Sequence, residues 1–487
     1  MAIRLFDSLT RRKVELEPRN PPHLGVYVCG VTVYDRCHLG HARVYVVWDT
    51  VIRHLRARGY DVTYVRNITD VDDKIIQRAG ERGISTEALV EETIAEMQRD
   101  FDALGVLPPD VEPRATRHIP EMIAHIEALI AQGTAYVSEG DVYFAVDRFA
   151  DYGALSGQSI DELRAGARVE PGEKKRNPLD FALWKAAKPG EPFWEAPWGR
   201  GRPGWHIECS AMSSKYLGPS FDIHTGGPDL LFPHHQNEIA QSQSLTGPGT
   251  FSKYWMHNGY VNLRGEKMAK STGNVVWIRQ VTERHDAEAL RLYLLSIHYR
   301  SPINIEIEAR DGNLFLPGVA EAERRLEYFY TTLQRLDDLL ADARGEDRSP
   351  LVDGFGEAMD DDFNSAVALA TMGEAATRAN QLLDEPKAVP KAERRSTLLA
   401  LRQGLRQMGD ELGLLARPPQ TYLLARRARL AAARGVDEAQ VDELLSQRAQ
   451  ARATKNFARA DEIRTQLAER DIEVMDTPAG TRWRFRD

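Results

Sequence analysis

The run Val26-Tyr27-Val28-Cys29-Gly30, with Cys37-His38-Leu39-Gly40-His41-Ala42-Arg43 close behind it, decides the fold. The first five residues are apolar, β-branched or aromatic and end in glycine, the pattern of a buried parallel strand. From Ala42 to Arg58 the apolar residues Val44, Val47, Val51 and Leu55 step by three and four, which predicts a helix. Gly59 stands where a helix C-terminus favours a left-handed residue. Val62-Thr63-Tyr64-Val65 reads as the next strand. Strand, helix, strand at this spacing predicts a parallel α/β sheet.

The histidine segment falls between strand and helix. Orphan N–H groups and the helix dipole favour phosphate there. Gly40 lets a flat ring approach the backbone closely. Far downstream, Lys267-Met268-Ala269-Lys270-Ser271-Thr272-Gly273 offers two lysines in a glycine-flanked loop, able to clamp a triphosphate. Taken alone it reads as a solvated basic surface turn. Neither a Gly-x-x-x-x-Gly-Lys-Ser/Thr loop nor a Gly-x-Gly-x-x-Gly after the first strand is present, against a P-loop or dinucleotide enzyme.

Further out, Pro108 to Pro203 changes texture and reads as an insertion that interrupts the sheet domain. The α/β signal returns from Trp205 to about Tyr260. After Asp311 the pattern is helical: Leu326, Phe329, Leu333, Leu336 and Leu340 form one apolar stripe. Arg417-Pro418-Pro419 reads as a linker. Residues 421–487 form a small separate unit of net charge +2.

The chain has 487 residues, 42% hydrophobic and 28% charged, which is globular composition with room for several domains. A net charge of −9 excludes a general basic nucleic-acid binder. No run reaches the roughly 18 apolar residues of a membrane helix, and the first residues lack a signal peptide's apolar segment, so no membrane is expected. Three cysteines cannot form a disulfide framework and predict a reducing, cytoplasmic setting. Those that matter should be metal ligands or nucleophiles. His234 and Glu238, four apart, share one helical face and offer a nitrogen and an oxygen; Cys29 and Cys209 add two sulfurs, a donor set zinc accepts. From spacing alone the alternative reading is a buried small thiol and a satisfied core histidine.

Together these segments resemble a class I aminoacyl-tRNA synthetase of the cysteinyl-tRNA synthetase family. His38-Leu39-Gly40-His41 is similar to that class's HIGH signature, and Lys267-Met268-Ala269-Lys270-Ser271 to its KMSKS signature, with Ala269 replacing a serine. The cysteine-specific marks are Val28 to Asp35, Asn67-Ile68-Thr69-Asp70-Val71-Asp72-Asp73-Lys74, Trp205 to Ser210, Phe221 to Gly227, Asp229 to Glu238, Lys455 to Asp461 and Asp476 to Thr481. The resemblance spans essentially the whole chain.

It implies a Rossmann-like parallel-sheet catalytic domain split by an insertion, then an α-helical bundle and a small C-terminal anticodon-binding domain. The expected boundaries are 1–116 and 204–260 for the catalytic halves, and 117–203 for the insertion. The lysine loop and connecting fold take 261–310, the DALR-like bundle 311–417 and the anticodon domain 421–487. Ala289-Leu290-Arg291 resembles the end of the DALR element. The implied metal is one zinc on Cys29, Cys209, His234 and Glu238. The implied nucleotide residues are His38, Gly40, His41, Lys267 and Lys270. Thr69, Trp205, His224 and Asp229 are expected around the substrate, with His206 and His235 behind the metal ligands and Cys37 a bystander. Trp483, Arg482 and Arg484 are anticodon candidates.

The implied reaction joins L-cysteine to tRNA(Cys) with ATP and Mg²⁺, through cysteinyl-adenylate, in a monomer. Two rivals are a paralogue that ligates cysteine to an amino-sugar pseudodisaccharide and a non-catalytic RNA- or cysteine-binding relative. The first should lack the 421–487 unit. The second should have lost a histidine, a lysine or a metal ligand.

Overall fold

A computed structural model describes residues 2–159, 162, 174–263, 265–268, 274–310, 313–341, 343, 349–477 and 480–486. The chain packs as two compact units. The first comprises residues 1–317, 356–368 and 411–413, and the second the remainder.

The first unit is built on a four-stranded, fully parallel sheet. Strand β1 (His23–Thr32) leads through helix α1 (Leu39–Ala57) to β2 (Asp61–Thr69). Helix α2 (Trp205–Leu217) leads into β3 (Ser220–Gly226), and α3 (Gln236–Thr246) into β4 (Phe251–His257). The sheet order is β4-β3-β1-β2. β1 is buried along nearly its whole length, as a central strand covered on both faces must be. The expected strand, helix and strand all form, and Gly59 follows α1 with φ +87°. β2 lies on one side of β1 and β3 on the other. The carboxyl end of β1 is therefore the switch point at which open α/β sheets bind ligands.

Between β2 and α2 the chain makes helix Ile119–Ala131 and an antiparallel sheet of Ala135–Ser138, Asp141–Phe144, Phe181–Ala186 and Gly201–Pro203. Its core of Met122, Ile126, Val142, Phe144 and Trp184 also takes in Ile207 and Met212 of α2 and Ala240 of α3. The stretch Arg168 to Arg202, rich in Pro, Gly, Lys and Trp, supplies strand Phe181–Ala186 and most of strand Gly201–Pro203. Of that stretch, residues 168–173 lie outside the described residues.

Arg291 ends the Ala289-Leu290-Arg291 motif and is wholly buried. Its Nε donates to the Leu412 carbonyl at 2.7 Å and Nη1 to those of Leu104 and Gly105 at 3.2 Å. Nη2 donates to Asp49 and Thr50 on α1.

The helical reading after Asp311 needs one correction. Asn313–Phe315 is a strand paired antiparallel with Glu308–Arg310. Its few residues are too short for periodicity to register. Helices Pro317–Leu340, Pro350–Asp360, Ser365–Asp384 and Lys391–Leu412 follow.

In the second unit, helix Pro419–Arg434 joins Pro317–Leu340 through Tyr330 and Tyr422, whose stacked rings lie 3.9 Å apart. Arg426–Glu327 and Arg429–Glu323 ion pairs flank them. Helices Glu438–Ala453 and Phe457–Ala468 and a hairpin, Ile472–Thr477 with Gly480–Phe485, complete it around Val441, Ile463, Leu467 and Trp483.

Candidate active site

Three strand ends form the floor of the site. β1 pairs with β2 as Val28 with Arg66 and then Val31 with Ile68, so Cys29-Gly30 is a bulge opposite Asn67. The Asn67 carboxamide replaces the lost ladder bond, its Oδ1 accepting from the Gly30 N–H at 2.8 Å. A Cβ on Gly30 would meet the Asn67 carbonyl at 1.4 Å, so this close pairing requires glycine. The bulge breaks the ladder beside Cys29. The Tyr45 hydroxyl of α1 holds the Cys29 carbonyl at 3.0 Å.

Cys209, in the first half of α2, places Sγ 3.8 Å from Cys29 Sγ. Glu238 Oε1 is 3.8 Å from Cys29 Sγ and 3.0 Å from His234 Nε2. One ligand atom from each of Cys29, Cys209, His234 and Glu238 lies within 4.8 Å of the others, and all four residues are buried. A tetrahedron with zinc–sulfur bonds of about 2.3 Å has a sulfur–sulfur edge of about 3.8 Å, so the thiols already stand at zinc-bridging separation. Cys29, His224, His235 and Glu238 form a second quartet within the same limit. The first holds two sulfurs, the softer set.

A supporting ring surrounds the first quartet. His224 Nε2 lies 2.8 Å from Glu238 Oε2, behind the oxygen that faces His234. His206 Nδ1 lies 3.0 Å from His234 Nδ1. His235 Nε2 lies 3.3 Å from Cys29 Sγ, and its Nδ1 is 2.8 Å from His257 Nε2, which is backed by Ser8. The half-exposed Trp205 ring stacks on His234 at 4.2 Å.

The charge distribution favours Cys209 and Glu238 as anionic donors and holds His234 as a cation between them. The Cys29 hydrogen bond pulls the Cys209 thiol down to about 6, while burial pushes Cys29 up. Burial acts to raise Glu238, but His224 and His234 outweigh it and hold the carboxyl at about 2. Burial acts to lower His234, but Glu238 and Cys209 carry it up to about 10. Two anions thus bracket one cation, the polarity a divalent metal replaces.

Beside this cluster, His38 caps α1. Its Nδ1 accepts from Gly40 N–H at 3.1 Å, and His41 Nδ1 accepts from His38 N–H at 3.2 Å. The two rings stack at 3.9 Å. With each Nδ1 an acceptor, a neutral ring carries its proton on Nε2, as a donor. A Cβ on Gly40 would meet His38 Cε1 at 2.8 Å and Met268 Cε at 3.3 Å. No acidic residue stands in the first turn of α1, where a negative side chain would offset the helix's positive end. Leu39 N–H donates to the Val276 carbonyl and Ile278 N–H to that of Cys37, both at 3.0 Å. Met268, early in the lysine loop, and Val276, just after it, thus both lie against the histidine turn. Lys267 sits on the short strand Glu266–Lys267. Ala269, Lys270 and Ser271 lie outside the described residues.

Of the other expected residues, Thr69 and His224 adjoin this cluster, and the anticodon candidates lie in the second unit. Thr69 is buried at the end of β2, its Oγ1 3.3 Å from Asn67 Nδ2. His224 backs Glu238, and Asp229 is exposed beside Gly227. Cys37 is buried under the histidine turn. Trp483 is buried, donates to Asp442 at 3.1 Å and carries the Arg427 guanidinium over its ring. Arg482 pairs with Asp338 and Arg484 with Glu473. Asn67, His257 and Glu208 escaped sequence reasoning, although Asn67 and Glu208 lie inside motifs that drew attention for their neighbours.

This sheet, with paired histidines at the switch point, is the fold of class I aminoacyl-tRNA synthetases. A Mycobacterium tuberculosis methionyl-tRNA synthetase in complex with methionyl-adenylate matches at TM-score 0.58 and 16% identity, over 82% of this chain and 93% of its own. Residues 15–311 match the family of tRNA synthetases class I (C) catalytic domains. Residues 354–416 match the DALR domain and 435–484 the cysteinyl-tRNA ligase anticodon binding domain. A cysteine–tRNA ligase of Anaeromyxobacter dehalogenans is 53% identical over 99% of this chain and 100% of its own length. That of Geobacter sulfurreducens is 48% identical over the full length of both. The chain belongs to the cysteine–tRNA ligase family. Among the described residues no helix is long and apolar enough to cross a membrane.

Proposed function

We infer that the chain attaches L-cysteine to tRNA(Cys), converting ATP to AMP and diphosphate through cysteinyl-adenylate. The observation that carries this reading is the Cys29, Cys209, His234 and Glu238 cluster beside the His38–His41 turn at one switch point. An amino-acid side-chain site and an anion site are then within reach of one small substrate.

The cysteine carboxylate attacks the α-phosphorus of ATP, and diphosphate leaves. Such transfers depend on positioning and charge neutralisation more than on covalent help. His38 and His41 donate Nε2–H to phosphate oxygens as charge shifts. Gly40 lets the nucleotide lie against the turn. Lys267 and Lys270 hold the β and γ phosphates, with Mg²⁺ accompanying ATP. The terminal ribose hydroxyl of the tRNA then takes the cysteinyl group.

An apolar pocket separates near-isosteres such as serine and cysteine by only about 10–200-fold. One zinc ion fits the four donors, and when bound it supplies a centre that takes a thiolate far better than a hydroxyl. His206 and His224 orient its imidazole and carboxylate donors. Trp205 walls the amino-acid pocket over His234, and Thr69 and Asp229 border it. The bundle and C-terminal unit engage the tRNA in the cytoplasm, and the chain acts as a monomer.

Cysteine-dependent ATP–diphosphate exchange followed by charging of tRNA(Cys) tests the reading. A pseudodisaccharide ligase would exchange without charging tRNA, and a non-catalytic binder would do neither.

A further inference from the structure

Glu208 lies in the first turn of α2, one residue before Cys209. It is 1% exposed, and neither carboxylate oxygen has a hydrogen-bond partner. Its leading electrostatic neighbours, Cys209, Asp72 and Asp70, are all acidic. The nearby Thr69 hydroxyl favours the charged form, but burial and these acidic neighbours hold the carboxyl well above the usual carboxylate range. A buried carboxyl with nothing to accept from costs free energy that the reaction as described does not explain.

The position suggests what the carboxyl receives. In the activity proposed above, on which this inference rests, the substrate thiol occupies the cluster that includes Cys209. The substrate carboxylate faces the His38–His41 turn beyond the end of β1. The remaining polar group on the substrate's α-carbon is an ammonium, a cation with several N–H donors. Thr69 ends β2, and its Oγ1 accepts from Asn67 Nδ2 with one lone pair, which leaves the other to accept from an ammonium N–H. We propose that Glu208, together with Thr69, receives the α-ammonium of the cysteine substrate. Specificity would then be read at three points, and a thiol lacking the amine would leave Glu208 unpaired.

The test compares three thiols by calorimetry on the zinc-loaded full chain. Cysteine carries amine and carboxylate, cysteamine only the amine, and 3-mercaptopropionate only the carboxylate. In E208Q, binding of cysteine and cysteamine should weaken about 10–100-fold, while 3-mercaptopropionate and zinc content stay unchanged. E208D, which keeps the charge, should recover part of the amine preference. Equal weakening of all three thiols would show a purely structural role and overturn the proposal. So would no weakening, or an amine-selective loss in D229N with E208Q silent. Wild-type protein alone provides a further check, because equal affinity for cysteine and 3-mercaptopropionate would also overturn it. Failure of cysteine-dependent exchange in the wild type would instead sink the assigned activity, a result separate from the binding comparison.

Discussion

The Nδ1 atoms of His206 and His234 face each other at 3.0 Å, while His234 Nε2 lies 3.0 Å from Glu238 Oε1. One ring nitrogen of His234 is therefore occupied by a support and the other belongs to the metal cluster. Partners of this kind fix the ring and its tautomer, and their loss weakens metal binding about 10–100-fold. H206A should lose zinc to a chelator at correspondingly lower concentration, with its fold intact by circular dichroism. An unchanged zinc affinity would show that Trp205 stacking alone positions His234.

Cys209 supplies the donor whose thiol is already the more acidic of the pair. C209S replaces a soft ligand with a hydroxyl that keeps its proton. Metal analysis should find less than one zinc per chain, and KM for cysteine in the exchange reaction should rise by about two orders of magnitude or more. Wild-type protein that is active without zinc would refute the metal assignment itself.

Arg291 tests the frame rather than the chemistry. Its guanidinium gives donors to three carbonyls, Asp49 and Thr50, with no exposure to solvent. Lysine carries the charge without the fork. Removing one partner of a buried pair costs about 3–5 kcal/mol, because the other is left uncompensated. R291A should approach that loss, and R291K should fall between it and the wild type in Tm.

His54 gives a pH signature. Burial acts to lower its pKa, but Asp360 at 3.0 Å and Glu411 at 2.9 Å outweigh that and raise it. A folded-state pKa above the unfolded value contributes stability that is full below about pH 6.5 and fades as pH rises through the folded value. The Tm difference between wild type and H54Q should therefore shrink from pH 6 upward. A constant difference across that range would mean that His54 stays neutral.

Sequence patterns disclosed different parts of this arrangement unequally. β1, α1 and β2 were legible because each is longer than one period of its own pattern and covered by apolar neighbours. His234 and Glu238 were legible as an i, i+4 pair. Cys29 and Cys209 stand 180 residues apart, and only the crossing of β1 with the helix after the insertion brings their sulfurs to 3.8 Å. Spacing could not reveal that; the resemblance did. The strand Asn313–Phe315 was hidden by its length. Glu208 and His54 were hidden for another reason: a buried charge declares itself only through the partners around it, and those come from distant segments.

The lysine loop offers a test that separates the nucleotide from the amino acid. Met268, early in the loop, and Val276, just after it, lie against the His38–His41 turn, while the zinc ligands come from other elements. The proposed partner of Lys270 is phosphate charge that moves as diphosphate leaves. A contact strengthened in the transition state is read in kcat and kcat/KM together, whereas a uniform binding contact is read in KM. K270A should therefore slow cysteinyl-adenylate formation, measured in a single turnover, by about 10²-fold or more. Its calorimetric affinity for cysteine should stay within about twofold of the wild type, since a 0.4 kcal/mol change is near the limit of a remote effect. Loss of cysteine affinity with adenylate formation unchanged would place Lys270 in the amino-acid pocket and remove it from the phosphate clamp.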